Sequence, residues 1–446
     1  MGFIKVISVL LFICTIIGGF IASFRYAAVF SFCLYQSIYF YNPEKRWWGS
    51  LIPDISYSYF VVILILGLYV FNLKKYNINK LRAVTPFIWA YMFGILFLFS
   101  YFNAVYPEQH YEYSVYFIKL LLIVSVAYKL IETEKDLDRV LYGFIFGAWY
   151  VSFYVYQIGR NSGNRVAGVG LVDSPDSNGL AAAIAPTLVL CLYFYWIHKN
   201  KFLKISFALA GIFIANAIVL INSRGAFLGI FVSIVYFMYH MYTSSFQRKY
   251  QKFSAVFITI AGLSGGLYLA DDDFINRIVG MSDEASVNVD VESGSTRIIF
   301  WQAAWEMTKD FPFGNGYKGF NAYSSFYIPQ EVNTGDSRYR SVHSSWFEAL
   351  TETGYLGLFC LLMMCYTSLK CLQKCRNKMR TDGRVDEYFK MIAIQGAFLA
   401  YLISMSFLNR SRAEILYWLV MISASAYNLY ILKDQNKSKG LDFEKK

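Results

Sequence analysis

The stretch "NGLAAAIAPTLVLCLYFYW", residues 178–196, holds no charged side chain. At 1.5 Å per residue, a helix of that length reaches across most of the ~30 Å hydrocarbon core of a bilayer. A soluble helix as long would carry a charged face. Comparable stretches recur near 57–72, 84–102, 112–130, 138–158, 203–221, 225–243, 253–270, 346–370, 388–408 and 413–432. With 57% hydrophobic and 16% charged residues among 446, the chain is too apolar for a soluble protein. An all-α polytopic membrane protein with about 12 transmembrane helices is expected. The first 41 residues hold either one crossing plus an interfacial piece or two short helices broken at Arg25, which leaves about 13 crossings as the alternative. This start looks like a signal peptide but has no clear small-residue cleavage site, so it is read as a retained anchor.

The short connections "LKKYNINKLR" (73–82), "IHKNKFLK" (197–204), "SSFQRKYQK" (244–252) and "KCRNKMRTDGR" (374–384) are basic, and basic short loops stay in the cytoplasm. The other connections face outward. They include the single long one, from Asp271 to Ser344. The chain therefore divides into a transmembrane bundle over 1–270, an outward loop over 271–344, and C-terminal transmembrane helices with a cytoplasmic tail over 345–446. The loop is rich in glycine and aromatics and is expected to fold, with an amphipathic helix of its own. The seven cysteines, at 14, 33, 191, 360, 365, 371 and 375, avoid the outward connections, so the loop is no disulfide scaffold. The net charge of +11 is mostly the orientation signal and calls for membrane lipids rather than a nucleic-acid partner.

The kind of cation differs between the two faces. The inward connections are mainly lysine, whereas the outward ones carry Lys45, Lys309 and Lys318 against Arg46, Arg160, Arg165, Arg224, Arg277, Arg297, Arg338, Arg340, Arg410 and Arg412. A guanidinium offers a planar fork of donors that fits phosphate oxygens in pairs. The asymmetry suggests either headgroup contacts or an outward-facing phosphate or diphosphate site.

Three stretches locate such a site. "NSRGAFLGIF" (222–231) sets Arg224 in a tight turn beside a helix N-terminus, where unpaired N–H groups favour anions. "GSTRIIFWQAAWEMTKDFPFGNGYKGF" (294–320) puts Arg297 in the first turn of a helix whose Ile298, Trp301, Trp305 and Thr308 are spaced as a membrane-surface stripe; "FPFGNG" then ends it. "SVHSSWFEALTETGYLGLF" (341–359) places His343 just ahead of an expected capping box of Ser345 and Glu348, with the helix starting near Trp346. The positive end of that helix should keep the imidazole neutral and able to accept a proton. Weaker candidates for substrate binding are Lys119, inside a span, Arg165 in "GNRVAG", and Arg338 and Arg340. Asp176 and Asn178 either border the site or cap the next helix. The acidic run 271–274 is read as a solvated helix end, so no metal site is expected.

The succession "DSPDSNGLAAAIAP", "NSRGAFLGIF", "STRIIFWQAAWEMTKDFPFGNGYKGF" and "HSSWFEALTETGYLGLF" resembles the bacterial superfamily of O-antigen ligases, O-antigen polymerases and protein O-oligosaccharyltransferases. "YNPEKRWWGSLIPDI" and "YSVYFIKLLLIV" look more particularly like its O-glycosylation ligases. The resemblance implies a multi-pass enzyme of the inner membrane, with the outward loop in the periplasm. It implies a donor glycan on undecaprenyl diphosphate, an acceptor hydroxyl on lipid A core, a growing glycan or a protein, and no metal or other cofactor. It also implies His343 as the catalytic residue, Arg224 and Arg297 on the diphosphate, and a family lysine at Lys119. The rival class is a transporter or flippase of lipid-linked glycans. Transporters place their sites near the midplane on interrupted helices in repeated halves, whereas here the polar groups gather at one face.

Overall fold

The computed structural model describes residues 2–269, 275, 296–332 and 338–435. The acidic run 271–274 and Arg277 lie outside the described residues. Apart from one bridge between Ser162 and Arg165, every regular element described is a helix. In chain order these are α1 (Gly2–Arg25), α2 (Val29–Tyr41), α3 (Tyr57–Phe71), α4 (Leu73–Tyr76), α5 (Thr85–Phe99), α6 (Pro107–Leu130), α7 (Glu134–Ile158), α8 (Ser177–Ile197), α9 (Lys201–Ile221), α10 (Arg224–Thr243), α11 (Gln251–Leu269), α12 (Thr296–Asp310), α13 (Gly319–Tyr327), α14 (Ser345–Thr381), α15 (Val385–Met405) and α16 (Glu414–Tyr427), with short 3₁₀ and π turns between and after them.

Among the described residues, 10 helices are long and apolar enough to cross a membrane, or 11 if the bent pair Tyr57–Phe71 and Leu73–Ala83 is one span. The protein is an all-α, multi-pass membrane protein. With the bent pair counted, the tally falls one short of the expected twelve, at α7, and α2 does not add the thirteenth. The 13 residues of α2 extend only about 20 Å, and nearly all its side chains are buried. Helix α7, at the stretch expected to span over 138–158, packs among α2, α8 and α9 and carries Tyr142, Tyr150, Tyr154 and Gln157 on largely covered positions. A helix enclosed by protein can hold such polar groups, which makes it less apolar than one that meets lipid.

The main core runs through the bundle, and a second, smaller one lies in the segment between α11 and α14. Phe300, Ala303, Ala304 and Met307 of α12 pack there with Phe320, Ile328, Val332 and Val342. The buried face of α12 is therefore not the stripe read from the sequence. Ile298 and Trp305 are exposed, but Thr308 is buried and donates to the Ala304 carbonyl. The core side of α12 is a different one, packed against α13 and the segment near Val342.

Helix α14 is broken at Gly354 (φ 70°, ψ −171°). The break frees carbonyls, and the turn after α12 fills it. Asn315 and Gly316 N–H donate to the Thr351 and Glu352 carbonyls. In return the Tyr355 N–H donates to the Pro312 carbonyl. Lys318 N–H reaches the Glu352 carboxylate at 2.8 Å, and Glu352 also pairs with Arg412 at 2.6 Å. A Cβ at position 354 would stand 2.1 Å from the Pro312 oxygen, in a backbone region open only to glycine. Gly354→Ala is expected to cost about 1–3 kcal/mol in backbone strain and to unseat residues 312–318. Faster proteolysis of the loop and a lower unfolding temperature would show it; an unchanged protease pattern would not fit this account.

Candidate functional site

The site is built by five segments that meet at one face of the bundle. Asp176 caps α8 by accepting from the Gly179 N–H at 2.9 Å. Arg165 ties that helix start to the end of α9, donating to Asn178 Oδ1 at 2.6 Å and to the Ile221 carbonyl at 3.2 Å. The chain turns between α9 and α10 through Asn222 in a left-handed conformation, and Arg224 is the first residue of α10. The next residue, Gly225, lies so close to Phe407 that a Cβ there would be 3.3 Å from its ring. The same Phe407 also meets Arg297, whose Nη1 donates to the Phe407 carbonyl at 3.3 Å.

The 406–412 turn then fixes the histidine segment. Asn409 accepts from the Ser344 N–H at 3.1 Å and donates to Ser341 Oγ at 2.8 Å. Ser345 Oγ donates to the Leu408 carbonyl and accepts from the Arg410 N–H. Trp346 Nε1 reaches Ser406 Oγ, and Trp301 Nε1 holds the Val342 carbonyl at 3.1 Å. Residues 342 and 344 are thus buried and pinned on either side of His343, which sits at φ 51°. Left-handed backbone is uncommon for a residue with a side chain, and histidine is among the types enriched in it. The imidazole is half-buried. Among the described residues no hydrogen bond engages its ring.

Its electrostatic surroundings are defined. Burial first, and then the positive charges of Arg297 and Arg340, push the His343 imidazole down to about 4, with Asp176 acting in the opposite sense. The histidine is neutral near pH 7. Desolvation and two guanidinium groups account for that shift. Asp176 is itself paired with Arg410 at 2.6 Å, and Arg410 also donates to the Asp173 carbonyl at 2.7 Å.

The expected capping box does not form. Ser344, not Ser345, precedes the helix, and it makes no side-chain cap. The Glu348 carboxylate accepts instead from Ser411 N–H and Oγ at 2.9 and 2.6 Å. A carboxylate beside Arg412 in a buried setting finds stronger donors there than at its own helix start.

The structure brings Arg297, Arg340 and His343 together, with the starts of α8 and α10, and hence Arg165 and Arg224, alongside. It does not bring in Lys119, which is exposed on α6 and lies 5.7 Å from the Tyr116 ring centroid. Nor does it leave Arg338 available, since that guanidinium donates to the Ile328, Pro329 and Val332 carbonyls at the end of α13. Trp301 and Trp346 are occupied in packing, Trp301 stacking on Phe347 at 5.7 Å. The residues missed from sequence are Ser406, Phe407, Leu408, Asn409 and Ser411 of the 406–412 turn and Asp173, whereas Arg410 and Arg412 stood out only as outward arginines.

One comparison bears directly on this cluster. Residues 209–362 match the O-antigen ligase family. The match covers about a third of the chain and supports a likeness to the O-antigen ligase superfamily. No curated protein matches the chain. The ligase-family segment contains Arg224, Arg297, Arg338, Arg340 and His343, whereas Lys119, Arg165 and the 406–412 turn lie outside it.

Proposed function

We propose that the protein transfers a glycan from an undecaprenyl-diphosphate carrier to an acceptor hydroxyl at the periplasmic face of the inner membrane. His343 is the general base, and Arg224 and Arg297 bind the diphosphate. The observation that carries the reading is a neutral imidazole, without a hydrogen-bonded partner among the described residues, set beside Arg297 and Arg340 in the ligase-family segment. His343 takes the acceptor's proton as the oxygen attacks the anomeric carbon. The new C–O bond forms as the bond from that carbon to the diphosphate oxygen breaks. The electron pair leaves with the diphosphate, whose growing charge the fixed guanidinium groups stabilise. A ligase and a polymerase share these steps and differ in whether the hydroxyl belongs to lipid A core or protein, or to a growing glycan.

Reconstituted with an undecaprenyl-diphosphate-linked glycan and an acceptor, the protein is expected to release undecaprenyl diphosphate as the glycan moves. Its pH profile carries the signature of the base. Only neutral imidazole accepts a proton, so activity falls as pH drops through the group's value of about 4. Arg340→Gln removes one positive charge and raises that value, so the acid limb moves to higher pH. No release of carrier, or an acid limb unmoved in Arg340→Gln, would count against the assignment.

A further inference from the structure

Away from the ligase-family segment, a cavity of about 540 Å³ lies between α3, α5 and α6, with Tyr69, Tyr91, Ile95, Ile118, Leu122 and Lys129 among its lining residues. Ile95, Ile118 and Leu122 are about half exposed, so the cavity opens sideways. A second cavity of about 360 Å³ shares Tyr91 and Ile95 and is lined also by Arg82. The walls are apolar, and the Ser125 hydroxyl is already engaged by Tyr91 and the Leu121 carbonyl.

Lys129 is the exception. Its side chain is only 7% exposed, and its Nζ donates to Asn77 Oδ1 at 3.1 Å. Among the described residues no carboxylate pairs with it. The helix end that carries it is held in place, because Asn79 Nδ2 donates to the Lys129 and Ile131 carbonyls at 3.1 Å each. An ammonium buried without a counter-charge is unfavourable, and here it closes one end of an apolar groove. That combination fits an amphiphile with an anionic head.

We propose that this groove binds one anionic phospholipid of the cytoplasmic leaflet, with an acyl chain against α5 and α6 and its phosphate at Lys129. Depth selects the leaflet. From Ile118 to Lys129 the wall of α6 runs about 16 Å at 1.5 Å per residue, about half of the ~30 Å hydrocarbon. Lys129 stands at the end beside the basic 73–82 connection, on the side where anionic lipids concentrate. The polyprenyl donor proposed above carries its diphosphate at the opposite face, so the site is independent of that reading.

The test is native mass spectrometry of the full protein in maltoside detergent, titrated with dioleoyl phosphatidylglycerol or dioleoyl phosphatidylcholine. Wild type is expected to bind one phosphatidylglycerol at least tenfold more tightly than phosphatidylcholine. Lys129→Met should erase that preference, and Ile95→Trp, which fills the groove from a half-exposed position outside the core, should weaken both lipids about tenfold. If Lys129→Met fails to fold, Ile95→Trp still decides. Equal binding by wild type and Ile95→Trp, no preference in wild type, or tighter occupancy of the same site by undecaprenyl phosphate would overturn the proposal.

Discussion

Replacing His343 by alanine is expected to lower glycan transfer by ~10²–10⁴-fold, the usual share of general-base assistance, with membrane insertion and donor binding kept. The backbone around it is held by other groups, through Trp301 on the Val342 carbonyl and Asn409 on the Ser344 N–H. The loss should therefore be chemical rather than structural. His343→Gln keeps a hydrogen-bonding group but cannot act as a base near neutral pH. His343→Asn makes a second control, because asparagine readily adopts the left-handed backbone found here. Transfer by the purified glutamine or asparagine variant at the wild-type rate, with chemistry rate-limiting, would leave the histidine a structural role only.

The second large effect is expected at Arg297. Losing one fixed donor to the departing diphosphate typically costs ~10²–10³-fold in rate, and Arg297→Ala should fall in that range. Arg297→Lys should recover only part of the loss, since an ammonium supplies charge without the paired donors of a guanidinium. Arg297 is also one of the two charges that hold His343 down, so the alanine variant should combine weaker donor turnover with a higher acid limb. Arg224→Ala, at the start of the neighbouring helix, should show the turnover defect. Intact transfer in both alanine variants would remove the diphosphate assignment.

Much of this was legible in the sequence, for reasons that also mark where reading stopped. Spans that meet lipid announce themselves by apolar length, whereas α2 is short and buried, and α7 is long enough to cross but is made less apolar by its tyrosines. Arg224, Arg297 and His343 stood out because each is a chemically distinctive residue at a turn or a helix start. Their surroundings were hidden by distance along the chain: Asp176 meets Arg410 across 234 positions, and Ser411 meets Glu348 across 63. The Ser345 and Glu348 pair fitted a local pattern, and only the folded chain shows that Ser411 and Arg412 compete for that carboxylate. Lys119 stood out as a charge inside a span because its position there was plain while the face it occupies was not.

The interrupted helix at Gly354 bears on how such chains can be recombined. The backbone of 312–318 completes the broken turn of α14, and Glu352 clasps Lys318 N–H on one side and Arg412 on the other. A loop lifted from one protein into another at the membrane boundaries would arrive without the helix that it completes, and would leave behind a helix with an open seam. The smallest transplantable unit therefore includes the glycine break and its carboxylate together with the turn that fills them. Acceptor preference, if it resides in the loop, travels between proteins only with that part of the membrane helix.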